Sequence, residues 1–270
     1  MATVSSAFNT NLGSQFWIQG FQPQSFSSTT ITFSQGTARS LANDWAIEVA
    51  QEPGFPASFT IDTSVQGAGG VFPGNLTSIT PGSGLAFAPV AALGDASGKN
   101  TPSMAILTGG VLPEGYNTVA IVGFVLINSS GNLVPYAMGG NYNRRNVMLQ
   151  DAIQVLSAGN DTTFTTLNLS SLSQIVPGAL NCVDVDILYS YTPVAAASTL
   201  DLAPFGLTVS GTSPVRVKSN TAAVEVIGNF TMDVGSLDGD SAIRYKTSNA
   251  GDSVDLYVSG FTLDLPLFLG

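Results

Sequence analysis

Apolar and polar positions alternate along most of this chain with a period of two, the period of a strand with one buried face. TTITFSQG places Ile31 and Phe33 on one side. NCVDVDILYSY sets Val183, Val185, Ile187, Tyr189 and Tyr191 against Asp184, Asp186 and Ser190. AAVEVIGNFTMDV sets Val224, Val226, Phe230 and Met232 against Glu225, Asn229 and Asp233. DWAIEVAQE, GLAFAPVAAL, SMAILTGG and the C-terminal SVDLYVSGFTLDLPLFLG read as further strands, and GDASGKN as an exposed turn. One stretch breaks the alternation. In VLPEGYNTVAIVGFVLINSSGNLVPYAMGGN, residues 111–141, Ala120, Val122, Phe124 and Leu126 line one face, and Ile121, Gly123, Val125 and Ile127 line the other. The pattern predicts a hairpin that turns at INSSGN and is covered on both sides, by a second sheet of its own chain or by a second subunit.

Two segments fit no periodic pattern. Residues 1–28 scatter Phe8, Phe16, Trp17, Phe21 and Phe26 among Gln, Ser, Asn and Gly, which reads as an arm that docks on a partner surface or folds back on its own domain. NYNRRN, residues 141–146, is polar and marks a boundary, with Arg144-Arg145 read as a solvated linker or as a partner for an acidic neighbour across an interface. The predicted organisation is therefore all-β: two β-sandwich-like domains, 29–145 and 146–270, with an extended N-terminal arm, 1–28. No fixed-period repeat points to a solenoid or propeller.

Composition narrows the function. Charged residues make up 10% of the chain, against about 25% in ordinary domains. Either much of the surface is covered by other chains or it is a solvated surface of Ser, Thr and Asn. A net charge of −10 with eight Lys plus Arg argues against nucleic acid as the main ligand and against an anionic membrane surface. No run approaches the ~18 apolar residues of a membrane span, so no membrane insertion is expected. The amino end lacks the basic and apolar regions of a secretory signal. The single cysteine, Cys182, fits a small buried hydrophobe in a protein folded in a reducing cytoplasm. Histidine is absent, which removes the usual general base and the common zinc sites. Carboxylate pairs remain, Asp184 with Asp186 and the cluster Asp233, Asp238 and Asp240. They lack a visible cleft, and DVGSLDGDS reads as an acidic turn rather than a full calcium loop. No catalytic residue, cofactor or metal is expected.

The order of parts resembles a β module of tailed-bacteriophage structural proteins, in particular tail fibres and related appendages. The segments that carry the resemblance are ITFSQGTARSLANDWAIEV, the Gly-Gly loop QGAGGVFPGNL, Pro113-x-Gly115-Tyr116, the strand Gly123, Pro135-Tyr136, IVPGALNCVDVDILY and YVSGFTLDLPL. They span about residues 29–270 as an order of elements, with a departure: Val119-Ala120-Ile121-Val122 stands where the family usually has basic residues. The resemblance implies a virion structural protein with no catalytic residues, working as an oligomer, often a trimer, with other virion proteins as partners. On that reading Phe16, Trp17, Phe21 and Phe26 would dock the arm to the particle. Val122, Phe124, Leu126, Leu265, Leu267 and Phe268 would form the subunit interface. The alternatives are a capsid head fibre or decoration protein, and a module that binds a host glycan receptor.

Overall fold

Runs rich in Val, Ile, Thr and Phe, punctuated by Gly, Asn, Ser and Pro, form the twenty strands found among the described residues. The computed structural model describes residues 4–6, 18–39, 45–49, 58–62, 86–95, 97, 99, 103–106, 115–127, 132–140, 144–170, 182–207 and 215–264. The fold is all-β and sandwich-like, in two units: residues 1–146 with 264–270, and residues 147–263.

The first unit contains β1 (Val4–Ser6), β2 (Ile18–Gly20), β3 (Pro23–Phe26), β4 (Thr30–Ser34), β5 (Gly36–Arg39) and β6 (Trp45–Val49). It continues with β7 (Ser58–Asp62), β8 (Ala86–Gly94), β9 (Ser103–Ile106), β10 (Thr118–Ile127) and β11 (Tyr136–Gly139), and β12 (Arg144–Gly159) starts at its end. Three antiparallel sheets result, in the orders β1-β6-β5-β2, β3-β4-β7 and β10-β8-β9. Phe21, Ile31, Phe33, Val90, Leu93 and Phe124 are fully buried, each apolar side chain contributing about 1.5–3 kcal/mol on leaving water. Pro89 lies inside the central strand β8, where a missing N–H would normally break a ladder. On the β10 side it stands opposite Phe124, and the last described β9 pair is Val90 with Ile106.

The segment that broke the alternation does not form the predicted hairpin. β10 pairs with β8, while β11 is hydrogen-bonded to β12 and not to β10. The returning chain reaches β10 through Val134 N, which donates to the Leu126 carbonyl (2.8 Å), and Tyr136 Oη, which donates to the Phe124 carbonyl (2.5 Å). Pro135 has no N–H with which to extend that ladder. Leu133 N instead donates to the Ser28 carbonyl (2.8 Å). The strict alternation also fails at Val122: the register shifts between Ile121 and Gly123, leaving Val122 as the extra residue of a bulge.

The second unit continues β12 and adds β13 (Thr165–Asn168), β14 (Cys182–Thr192), β15 (Thr199–Pro204), β16 (Val215–Lys218) and β17 (Val226–Asp233). β18 (Gly235–Leu237), β19 (Asp240–Thr247) and β20 (Ser253–Asp264) complete it. One sheet runs β12-β20-β14-β17, and the other β13-β19-β15-β16 with β18 alongside β19. Val185, Ile187, Leu256 and Val258 from the first sheet are buried, as are Leu200, Leu202 and Ile243 from the second. The turn before β20 is pinned by the buried Asp252, which accepts from Tyr191 Oη and Val194 N, both at 2.9 Å. Asp238 and Gly239 both adopt positive φ, 52° and 92°. That is the requirement of the tight turn joining β18 to β19, so DVGSLDGDS is a hairpin.

Candidate assembly surfaces

The residues proposed from sequence for docking and assembly divide by position. Phe16, Trp17, Leu265, Leu267 and Phe268 lie outside the described residues. Phe21 is fully buried, on a left-handed backbone with φ 54°. Phe26 is half-buried, its ring 5.3 Å from that of Tyr136 and edge-on to it. These two rings therefore pack on their own chain, because residues 18–26 contribute β2 and β3 to the first unit's sheets. Val122, Phe124 and Leu126 are also fully buried, with Phe124 stacked on Tyr136 at 4.5 Å. Both faces of β10 from Val122 to Leu126 are covered within the one chain, and no side-chain surface of those three is left for a subunit contact.

Arg145 departs from its sequence reading as well. It is buried, donating from Nη2 to the Gly20 carbonyl (3.3 Å) and from Nη1 to the Gly140 carbonyl (3.4 Å). Gln22, in the orientation that satisfies its neighbours, accepts from Arg145 Nη1 at 2.8 Å and donates to the Met138 carbonyl. Nε has no partner, and burial lowers the guanidinium's pKa from its ordinary value. Cys182 is buried as expected, and burial pushes its thiol up to about 12.

The exposed surfaces of interest are on the second unit. Residues directly opposite in an antiparallel pair share a face, so register fixes which side chains lie together. On the β12-β20-β14-β17 sheet, the face opposite Val185 and Ile187 sets Asp184 against Asp233, Asp186 against Thr231, and Ser190 against both Ile227 and Asp255. Thr231 Oγ1 donates to Asp186, and Ser190 Oγ donates to Glu225 (2.5 Å). Asp255 accepts from Ala158 N (2.8 Å) and from Gln154 Nε2 (3.4 Å). Ile227 is 73% exposed. This face carries five carboxylates, and the sheet holds no Lys or Arg between Val147 and Leu263.

All four basic residues of the second unit lie on β16 and β19 of the other sheet. Register puts Arg216 and Lys246 beside Asp201, Arg244 beside Ala203, and Lys218 beside Thr199, on the face opposite the buried Leu200 and Leu202. Asp201 is buried beneath this layer. Arg216 grips it with two bonds, 2.5 and 2.8 Å, and Lys246 Nζ stands 3.6 Å away. The Phe164 ring lies against both β19 cations, with Lys246 Nζ 4.9 Å and Arg244 Cζ 5.1 Å from its centroid. Asp240 is the other carboxylate of this face, held by Asn168 Nδ2 at 2.9 Å. The sequence reading missed this surface. Its signal was the alternation of Arg244 and Lys246 with Ile243 and Tyr245 in SAIRYKT. Among the described residues no cluster of His, Cys, Asp and Glu is arranged to hold a metal ion, and no helix is long and apolar enough to cross a membrane.

No family model matches this sequence, and no curated protein matches it. Among solved structures, the coat protein of Tobacco streak virus is similar at 13% identity, over 47% of this chain and 90% of that one, with a TM-score of 0.27. A superposition that loose carries no argument about fold or role.

Proposed function

We propose that this chain is a structural subunit of a bacteriophage particle, a tail-fibre or adaptor component that works as an oligomer, a trimer in the simplest case, through its surfaces and without catalysis. The supporting observation is the placement of its polar side chains. Asp184 and Asp186, the pair nearest to a catalytic arrangement, lie along the open face of a sheet, with Asp186 already taking a hydrogen bond from Thr231. A polar sheet face suits contact with another surface better than it suits enclosing a small substrate. The resemblance of element order to phage appendage modules supplies the setting. Mass spectrometry of purified particles of the encoding phage, with labelling in images, tests it: the expected result is a stoichiometric component on the tail. Label on the head would move the assignment to a capsid fibre or decoration protein. Infectious particles lacking the chain would end the structural reading. So would cleavage of bacterial surface polysaccharide that Asp184→Asn or Asp186→Asn abolishes.

A further inference from the structure

The two outer faces of the second unit differ in sign. One carries Asp184, Asp186, Asp233, Asp255 and Glu225, and its sheet holds no Lys or Arg between Val147 and Leu263, its exposed cation Arg144 standing at the very start of β12. The other carries Arg216, Lys218, Arg244 and Lys246 against Asp201 and Asp240. We propose that the second unit binds a second copy of this chain head to tail, the acidic face of one copy against the basic face of the next. This rests on reading the chain as a self-assembling subunit and names the surfaces that assemble.

Charge complementarity carries the proposal. Asp184 and Asp233 stand directly opposite each other across two strands, an arrangement that like charges disfavour. Cations brought to this face from another copy relieve it. The matching cations are on the far side of the same unit, where Lys218 is exposed and Arg244 and Lys246 are spread over Phe164. Each face also carries an apolar contact, Ile227 on the acidic side and Phe164 on the basic side. A two-fold arrangement would set each face against its own sign. A heterologous arrangement pairs unlike faces, and it closes into a ring when the rotation between copies allows. With only 10% charged residues in the chain, sorting by sign onto two faces gives the contact a direction and a register.

The test uses the full chain in light scattering and sedimentation. Association of the wild type is expected to weaken at least about tenfold from low salt to half-molar salt, as screening shortens the reach of the charges. Asp184→Lys with Asp233→Lys strips most of the charge from the acidic face, leaving three carboxylates against two new cations, and Lys218→Glu with Arg244→Glu turns the basic face acidic. Each double variant is expected to lose self-association, and a mixture of the two to associate with each other. Salt-independent association of the wild type overturns the proposal, and that measurement stands even if a variant fails to fold. Double variants that associate like the wild type, or a mixture that stays apart, also overturn it. If Asp184→Lys with Asp233→Lys blocks incorporation into particles but leaves self-association unchanged, the acidic face serves another virion protein and the proposal fails. In that case the structural reading of the chain survives.

Discussion

Arg145 sits in the polar run NYNRRN, yet its guanidinium is buried and tied to the carbonyl of Gly20, 125 residues away. Nothing local signals this, because its partners are backbone carbonyls and a glutamine rather than an acid at a recognisable spacing. Replacement by Met keeps the bulk but strands the Gly20 and Gly140 carbonyls and Gln22. We expect a loss of about 1–3 kcal/mol in the first unit, read from the denaturant midpoint, together with faster proteolysis near residues 18–26. Lys is expected to rescue only part of this, since an ammonium lacks the planar fork that spans two acceptors. Unchanged stability and unchanged proteolysis in the Met variant would remove Arg145 from that role. The buried titratable groups make a second prediction at this scale. Burial, with Asp161 adding to it, raises Tyr245 from 10.0 to about 12. Burial raises Cys182 from 9.0 to about 12. Tyr136 and Tyr191 are also raised, by burial first. Above the unfolded values the folded chain keeps protons that the unfolded chain has released, so stability falls as pH rises. Below about pH 9 these four groups impose no slope, and from there to about pH 12 they erode stability. Equal denaturant midpoints at pH 8.5 and pH 11, on either side of the onset about pH 9 expected from the ordinary thiol range, would refute this.

At the level of elements, the sequence was most readable where one face is buried and the other wet. β14 from Asp184 and β17 from Val226 alternate as their residues suggest, whereas Val183 falls at a register shift and Val224 lies before β17 and is 52% exposed; the Asp238-Gly239 turn falls where two residues must take positive φ. The motif positions that carried the resemblance have structural duties: Gly115 adopts φ 87°, and the Tyr136 ring stacks on Phe124 while its hydroxyl holds a β10 carbonyl. What could not be read was pairing. The partner of β10 is set by β8, whose residues lie some thirty positions earlier, and a bulge at Val122 has no signature in an all-apolar run. β12 was hidden because its polar start looked like a linker, although Val147 and Leu149 alternate inward with Met148 and Gln150 outside. Gly123 shows how tight the covered strand is: a Cβ there would stand 3.1 Å from the Phe33 ring, which is itself fully buried. Gly123→Ala is expected to cost about 1 kcal/mol and Gly123→Val about 2–3, because the ring has no free direction in which to yield. A Gly123→Val protein with wild-type thermal stability would show that Phe33 repacks freely. The partial rescue expected of Gly123→Val by Phe33→Leu gives an independent check on the same contact.

For the whole molecule, the question is what the N-terminal segment does. A separate arm would be removable, leaving a folded protein that no longer attaches to its particle. The structure gives residues 18–26 a different part: β2 pairs with β5, β3 pairs with β4, and Phe21 is sealed in the first unit with its backbone N–H bonded to the Gln35 carbonyl at 3.1 Å. Burial of one such ring is worth about 1.5–3 kcal/mol, a large share of the stability of an ordinary domain. The second unit's sheets draw no strand from this segment. Deleting residues 1–24 is therefore expected to lower or abolish the thermal transition of the first unit and to leave that of the second in place. Limited proteolysis of the deleted protein should then leave a resistant fragment close to 147–263, identified by its mass. The double variant Trp17→Ala with Phe21→Ala should act in the same direction, mainly through Phe21. The outcome that would sink this account is a deleted protein with both transitions intact and only particle incorporation lost, because then the segment would be an attachment device whose strands add nothing to the fold. Loss of both transitions would also count against it, since it would show that the second unit cannot hold its sandwich without the first.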